Sequence, residues 1–465
     1  MFQQSSDRIA AVRIEVRALW QLAWPMLIGQ LAMVGMGVSD VAMTGHVSAF
    51  DLAAVSLGAS IWSIVIVTIM GVTMAINAVV AHEVGGGKYD RIPHLVRQAL
   101  WKALGIGIVA FALMNLAVYL FDFLSLDNGV RDKATTFVHV ISLGLPAFAA
   151  YRVLYGYSTS LNQTKPMMVI ALAALCFNIF VNWLLVYGHW GLPKLGAIGC
   201  AIATGTGVWL MLGAMVWWIR RAAAYRETYP FTQWEGPNWQ EIGGMLKLGL
   251  PIGVTYFAEV SAFSAVCLLV ARFGVVEMAA NQIALNFVSL VFMVPLSFGI
   301  GLITRVGQAL GEGDPIRARF ISWVGVAMSL SFGLLSAIFI ALCRHQIAEA
   351  YTTDQDVRAL TAQLLLFAAL FQLSDATQVA ASSAIRGYKV TRRPMLIHLA
   401  AFWGVSLPIG WLLGLAPDWL PWRPSVPMAA SGFWIGFVVG LAVAASLLVW
   451  LLHRLSLRRV AIAAA

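Results

Sequence analysis

The chain has 465 residues, 60% of them hydrophobic and only 11% charged, with a formal net charge of +9 and a mean hydropathy of +0.82. A soluble domain of ordinary composition carries roughly 25% charged residues. These totals exclude a soluble globular protein and predict an integral membrane protein. The four cysteines (Cys176, Cys200, Cys267, Cys343) lie in or at the ends of apolar runs, with neither zinc spacing nor the layout of a disulfide framework.

In chain order, the opening "MFQQSSDRIAAVRIEVRALW" is too charged for a cleavable signal, and the apolar run behind it is too long. Ile9, Val12, Val16 and Leu19 share a helical face, with Arg8, Arg13 and Arg17 at or beyond its edges, which predicts a short helix lying on the membrane. Twelve apolar stretches long enough to span a bilayer follow, at roughly 20–44, 53–81, 99–121, 136–161, 167–187, 196–219, 245–271, 279–304, 321–343, 358–385, 395–415 and 430–452. The longest polar stretch, 220–244, separates the sixth span from the seventh. The predicted organisation is an N-terminal lobe (1–219), a cytoplasmic linker (220–244) and a C-terminal lobe (245–465).

Of the 30 Lys and Arg residues, 22 fall in segments on the side of the N-terminus and seven on the opposite side; Arg152 alone is read as intramembrane. That bias predicts cytoplasmic termini. It also accounts for the positive net charge without a nucleic-acid partner.

A shift of 226 residues superimposes Trp24-Pro25 on Leu250-Pro251, "DLAAVS" at 51–56 on "EMAANQ" at 277–282, and "GGG" at 85–87 on "GEG" at 311–313. The halves therefore read as diverged copies of one six-helix unit, entering the membrane in the same direction. In transporters built from repeats, the substrate site lies between them near the midplane. Ser56, Ser60, Ser63 and Val67 form a stripe on the second span, superimposing on Gln282, Asn286, Ser289 and Met293 of the eighth. Polar stripes avoid lipid, so these line a cavity or pack between helices.

Three carboxylates sit well inside spans: Asp40, Glu259 and Asp375. Met33, Gly37 and Asp40 share a face, as do Phe371, Asp375, Gln378 and Ser382. A carboxylate at the membrane centre costs a few kcal/mol, about 2.5–3.5 for comparable charges, so an unpaired one protonates or finds a cation. With Arg152 the only basic side chain read inside a span, the acids are expected to meet mobile cations: Na⁺, H⁺ or a cationic substrate. Pro25 and Pro251, early in matching helices, are expected hinge points, and Pro295 a mid-span bend.

No HExxH, GxSxG or intramembrane His–acid cluster is present, so no enzyme is expected. His46, His82, His139 and His398 read as surface or packing residues. The stretch "HEVGGGKYD" lacks the GK[ST] ending of a phosphate loop and recurs as "QALGEGDPI", so no ATP site is expected.

The stretches "WPMLIGQLAMVGMGVSDVAMTGH", "NWLLVYG", "AANQIALNFVSLVFMVPLSFG" and "QLSDATQVAASSAIRGYK" resemble the multidrug and toxic compound extrusion (MATE) transporters, most closely the NorM branch. The resemblance covers nearly the whole chain. It implies an all-α fold of twelve transmembrane helices in two pseudo-symmetric, V-shaped six-helix lobes in the bacterial inner membrane. It further implies antiport of organic cations, such as norfloxacin and ethidium-like dyes, against Na⁺ or H⁺. By motif, the cation site maps to Glu259 and Asp375, which would hold Na⁺ in a sodium-coupled protein, with Asp40 also required. The expected substrate cavity comprises Phe292, Phe371, Gln282, Asn286, Ser289, Gln378, Ser60 and Met33. At Phe371 the chain departs from relatives that place Tyr there; a phenyl face still offers cation–π attraction. A working monomer among membrane lipids is expected. The competing reading is a flippase of a lipid-linked precursor with a related two-lobe fold, for which a basic cavity would be expected.

Overall fold

The computed structural model describes residues 2–123, 127–416 and 426–464, with side chains from residue 9 to 463; Arg423, counted above, lies outside the described residues. The regular structure within them is helical. In chain order the helices are α1 (Phe2–Gly45), α2 (Ala49–Thr73), α3 (Ala75–Gly85), α4 (Ile92–Ala117), α5 (Asn128–Ser142), α6 (Leu145–Ser160), α7 (Lys165–Tyr187), α8 (Ala197–Arg221), α9 (Trp239–Val270), α10 (Val275–Gly311), α11 (Pro315–Tyr351), α12 (Gln355–Gly387), α13 (Arg392–Leu399), α14 (Leu407–Leu415) and α15 (Ala429–Ala464). Eleven helical stretches are long and apolar enough to cross a membrane, and α5 with α6, bent by 42°, makes up a twelfth. The twelve expected spans are therefore found, the fourth as a broken one.

Local chemistry marks the ends. Ser48 accepts from the Asp51 amide at 3.0 Å to start α2, and Asp354 accepts from the amides of Asp356 and Val357 to start α12. These are N-caps that satisfy otherwise orphaned N–H groups. Proline in the first turn opens α4, α6, α7 and α11, where its missing N–H costs nothing.

The chain forms two compact units, Trp24–Gly253 and Met1–Ala23 with Val254–Ala465. The division falls inside α1 and α9, next to Pro25 and Pro251, whereas the polar 220–244 segment belongs wholly to the first unit.

Within the first unit, the second span breaks at Met74 between α2 and α3. Lys102 of α4, grouped above with the inner-loop basic residues, is 3% exposed, and its Nζ lies 3.4 Å from the carbonyl of Val72 beside that break. The start of α9 packs against the same turn: a Cβ at Gly249 would lie 2.2 Å from the Val72 oxygen, and one at Gly253 would lie 2.3 Å from Val72 Cγ2. The polar segment is pinned to α4. Arg97 donates to the Pro230 carbonyl at 3.0 Å and to Glu235, Gln98 to the Gly236 carbonyl at 3.0 Å, and Trp101 to the Glu235 carbonyl at 2.8 Å.

In the second unit, the expected interfacial N-terminal helix is one continuous helix with the first span. Leu19 is buried, and Glu15 accepts two bonds from Arg305 Nη2, at 2.8 and 2.7 Å, which ties the start of α1 to α10. An apolar core gathers Phe263, Phe371, Phe402, Trp434 and Phe437. Between α13 and α14 the chain makes a π-helical turn, Ala400–Ser406, a feature that often accompanies functional sites. Gly440 of α15 lets α15 approach it: a Cβ there would lie 1.8 Å from Ser406 Oγ.

Candidate functional site

The site builds from one face of α12. Asp375, Gln378, Ser382 and Arg386 recur at steps of three and four, so they stand above one another on the helix. Across from them α9 presents Tyr256 and Glu259, α10 presents Phe292, and α13 presents His398. Together Tyr256, Glu259, Phe292, Gln378, Ser382, Arg386 and His398 line a cavity of about 20 Å³. That is room for one water-sized species, since about 10–15 Å³ is enough for one.

Glu259 is half-buried at this cavity. Asp375 is 1% exposed; its Oδ1 accepts from Gln378 Nε2 at 3.1 Å, and its Oδ2 has no hydrogen-bond partner among the described residues. Glu259 shares the cavity wall with Arg386 and Gln378, and Gln378 links the cavity to Asp375. The expectation that Arg152 was the only basic side chain inside a span is therefore corrected. Arg386 is 6% exposed, donates to the Tyr256 hydroxyl at 3.4 Å and stacks 5.2 Å from the Tyr256 ring centroid. The α12 stripe, continued one step past Ser382, was the signal for it; its position next to the span end concealed it.

His398, read from sequence as a surface or packing residue, lies at the cavity and is 2% exposed. Its Nδ1 is 2.7 Å from the Pro394 carbonyl, which only accepts, so Nδ1 carries a hydrogen. Its Nε2 is 2.6 Å from Gln378 Oε1. Two assignments satisfy this chain of contacts. In one, an imidazolium donates to Oε1 and the amide donates to ionised Asp375. In the other, the amide is turned and donates to a neutral ring, so that Oε1 faces Asp375, whose carboxyl must then carry a proton. The orientation of Gln378 thus records the protonation of its neighbours.

The first unit holds the third acid separately. Asp40 of α1 is 8% exposed; Oδ1 accepts from Asn178 at 3.1 Å and Asn182 at 2.6 Å, and Oδ2 from Thr204 at 2.7 Å. This cradle from α7 and α8 escaped the sequence reading, although Asn178 and Asn182 stand one helical turn apart and Asn182 opens "NWLL". Here neutral donors offset the burial of the charge. Met33, two turns before Asp40 on α1, is half-buried. Arg152 lies in this unit, 4.3 Å over the Tyr155 ring.

Of the other cavity candidates, the stripes Ser56, Ser60, Ser63 and Gln282, Asn286, Ser289 are exposed in their respective units. Ser60 and Ser289 hydroxyls bond back to carbonyls four residues earlier, and Asn286 Oδ1 accepts from Tyr351 at 3.0 Å. Phe371 is 2% exposed and packs edge-on against Phe263 and Trp434, with centroids at 6.2 and 6.0 Å, inside the apolar core and off the cavity wall.

Comparison with known proteins identifies the family. The MatE family model matches residues 25–184 and 251–412, one match in each half. The chain is 42% identical to multidrug resistance protein PmpM of Pseudomonas aeruginosa, over 94% of this chain and 91% of that one. It is 40% identical to probable multidrug resistance protein NorM of Chromobacterium violaceum, over 99% and 98%. Among solved structures, the eukaryotic MATE transporter AtDTX14 superimposes with a TM-score of 0.86 at 20% identity, over 97% of this chain and 99% of that one. A MATE structure in the bent conformation gives a TM-score of 0.87 at 16% identity, covering 97% of each chain. With matched repeats, twelve spans and relatives aligned from end to end, the chain belongs to the multidrug and toxic compound extrusion (MATE) family.

Proposed function

We propose that this protein is a multidrug efflux transporter that exchanges organic cations for inward-moving Na⁺ or H⁺. Family membership makes it a carrier without an enzymatic reaction, and its relatives, named as multidrug resistance proteins, favour drug efflux over the lipid-precursor flippase. The single observation that carries the coupling site is the Glu259 carboxylate on the wall of an ion-sized cavity, with buried Asp375 tied to that cavity through Gln378. Glu259 takes the entering ion, Asp375 Oδ2 supplies a further oxygen, and Asp40 responds in the other unit. Occupation by the ion weakens the attraction for a cationic drug, which leaves outward. The units then rock, bending near Pro25 and Pro251, and the ion departs inward.

Exporting one positive charge against a negative-inside potential costs about 2.3 kcal/mol per 100 mV, which one inward monovalent cation offsets. Norfloxacin-like and ethidium-like cations suit a site of this charge. On this reading the protein resides in the bacterial inner membrane and works as a monomer, and the distribution of basic residues supports cytoplasmic termini.

The test is dye and norfloxacin transport in proteoliposomes with a Na⁺ gradient or a pH gradient imposed separately. Wild type is expected to respond to at least one gradient, and Glu259→Gln, Asp375→Asn and Asp40→Asn to lose the response. Undiminished gradient-driven transport by all three variants would remove the carboxylates from the mechanism.

A further inference from the structure

A second, larger recess lies in the first unit, with none of the three acids in its lining. A groove of about 370 Å³ runs along the start of α4, between Arg97, Leu100, Trp101 and Leu104 on one side and Phe231 and Trp234 on the other. Its floor is one helical face, and the same face continues one turn on to Ile108. Leu104 and Ile108 are 42% and 54% exposed on a membrane-spanning helix, so this end of the groove opens onto surface that lipid chains cover. Trp234 is 86% exposed and meets Trp101 edge-on at 5.4 Å, as aromatic residues do at the boundary of a bilayer.

The other end is cationic. The Arg220 guanidinium sits 6.0 Å from the ring centroid of Phe231, a wall of the groove. Arg220, Arg221 and Arg226 are exposed and enter none of the ion pairs among the described residues. Of the nearby acids, Glu235 is committed to Arg97 and His94, and Glu227 is exposed. Arg220, held at the Phe231 wall and in no ion pair among the described residues, leaves a positive charge there that repels a cationic drug and attracts an anionic headgroup.

We propose that this groove is a binding site for an anionic phospholipid, with its phosphate at Arg220 and Arg221 and one acyl chain laid along Leu100, Leu104 and Ile108. The lipid would tie the 230–235 segment to α4 from the membrane side, where Arg97 and Trp101 already hold it from the protein side.

The test uses the full-length protein in phosphatidylcholine nanodiscs doped with brominated phosphatidylglycerol or an equal amount of brominated phosphatidylcholine, with tryptophan quenching as the readout. Wild type is expected to be quenched more by the anionic lipid. That excess should shrink in Trp234→Phe, whose side chain is too exposed to hold the fold. It should need more anionic lipid in Arg220→Gln with Arg221→Gln, by about fivefold per arginine removed. Equal quenching by the two lipids would overturn the proposal, and so would an excess that survives Trp234→Phe and the arginine pair unchanged.

Discussion

Gln378 Oε1 lies 2.6 Å from Nε2 of His398, while the same amide reaches back to Asp375 at 3.1 Å. One side chain thus connects a buried imidazole with a buried carboxylate of the proposed coupling site. Gln378→Leu removes both contacts and strands two polar groups, a loss of about 1–3 kcal/mol per group. Gradient-driven efflux should fall by about tenfold or more. Equal transport by wild type and Gln378→Leu in proteoliposomes would show that the bridge is only packing.

Arg386 shares the Glu259 cavity and stacks on Tyr256. A fixed guanidinium there weakens the hold of Glu259 on any entering cation. Arg386→Gln should therefore bind ethidium-like dyes more tightly, by about tenfold, since moderately screened charges at short range interact by several kcal/mol at most. Turnover should slow because release becomes harder. Fluorescence titration and efflux rates measure the two effects, and weaker dye binding in the variant would contradict this role.

Asp40 depends on neutral donors from Asn178, Asn182 and Thr204. Replacing Asn182 by Leu leaves the carboxylate short of its closest donor, and the cost should be about 1–3 kcal/mol of stability. Asp40→Asn, which removes the buried carboxylate that these donors serve, should cost less. Thermal unfolding in detergent distinguishes the two, and equal melting temperatures would argue against the cradle.

The 229–238 segment should loosen in acid. The hydrogen bond from Arg97, followed by that from His94, holds the Glu235 carboxyl below its ordinary value. A carboxyl whose folded value is depressed stabilises the fold above its unfolded pKa, and that contribution is lost as pH falls through the folded value. Amide protection factors of this segment, corrected for intrinsic exchange, should be high and flat at neutral pH and should fall as pH drops below the usual glutamate range. Glu235→Gln should show fast exchange already at neutral pH. A wild-type profile without an acid limb would count against the clasp.

Gly249 and Gly253 let α9 lie against Val72 at the break between α2 and α3. Gly253→Leu places a bulky group where even a Cβ would collide, and should destabilise the first unit by about 1–3 kcal/mol, as overpacking does. A melting temperature equal to wild type would mean that the helices separate there without cost.

The twelve spans, the repeat and the three intramembrane acids were legible in the sequence because each rests on composition or periodicity along one chain segment. A long apolar run has no alternative to crossing the bilayer, and a carboxylate inside one stands out whatever surrounds it. The partners of those acids were not legible. Asn178 and Thr204 meet Asp40 from other helices, His398 reaches Gln378 from a helix ended by a π turn, and Arg386 turns inward from a position that reads as a cytoplasmic loop. Phe371 shares a helical face with Asp375, yet its ring packs into the aromatic core. Sequence alone determined what had to be buried in the membrane; the packing of helices distant in sequence decided which donor, cation or ring each buried charge would face, because hydrogen bonds and charge contacts act over a few ångströms that no single stretch of chain encodes.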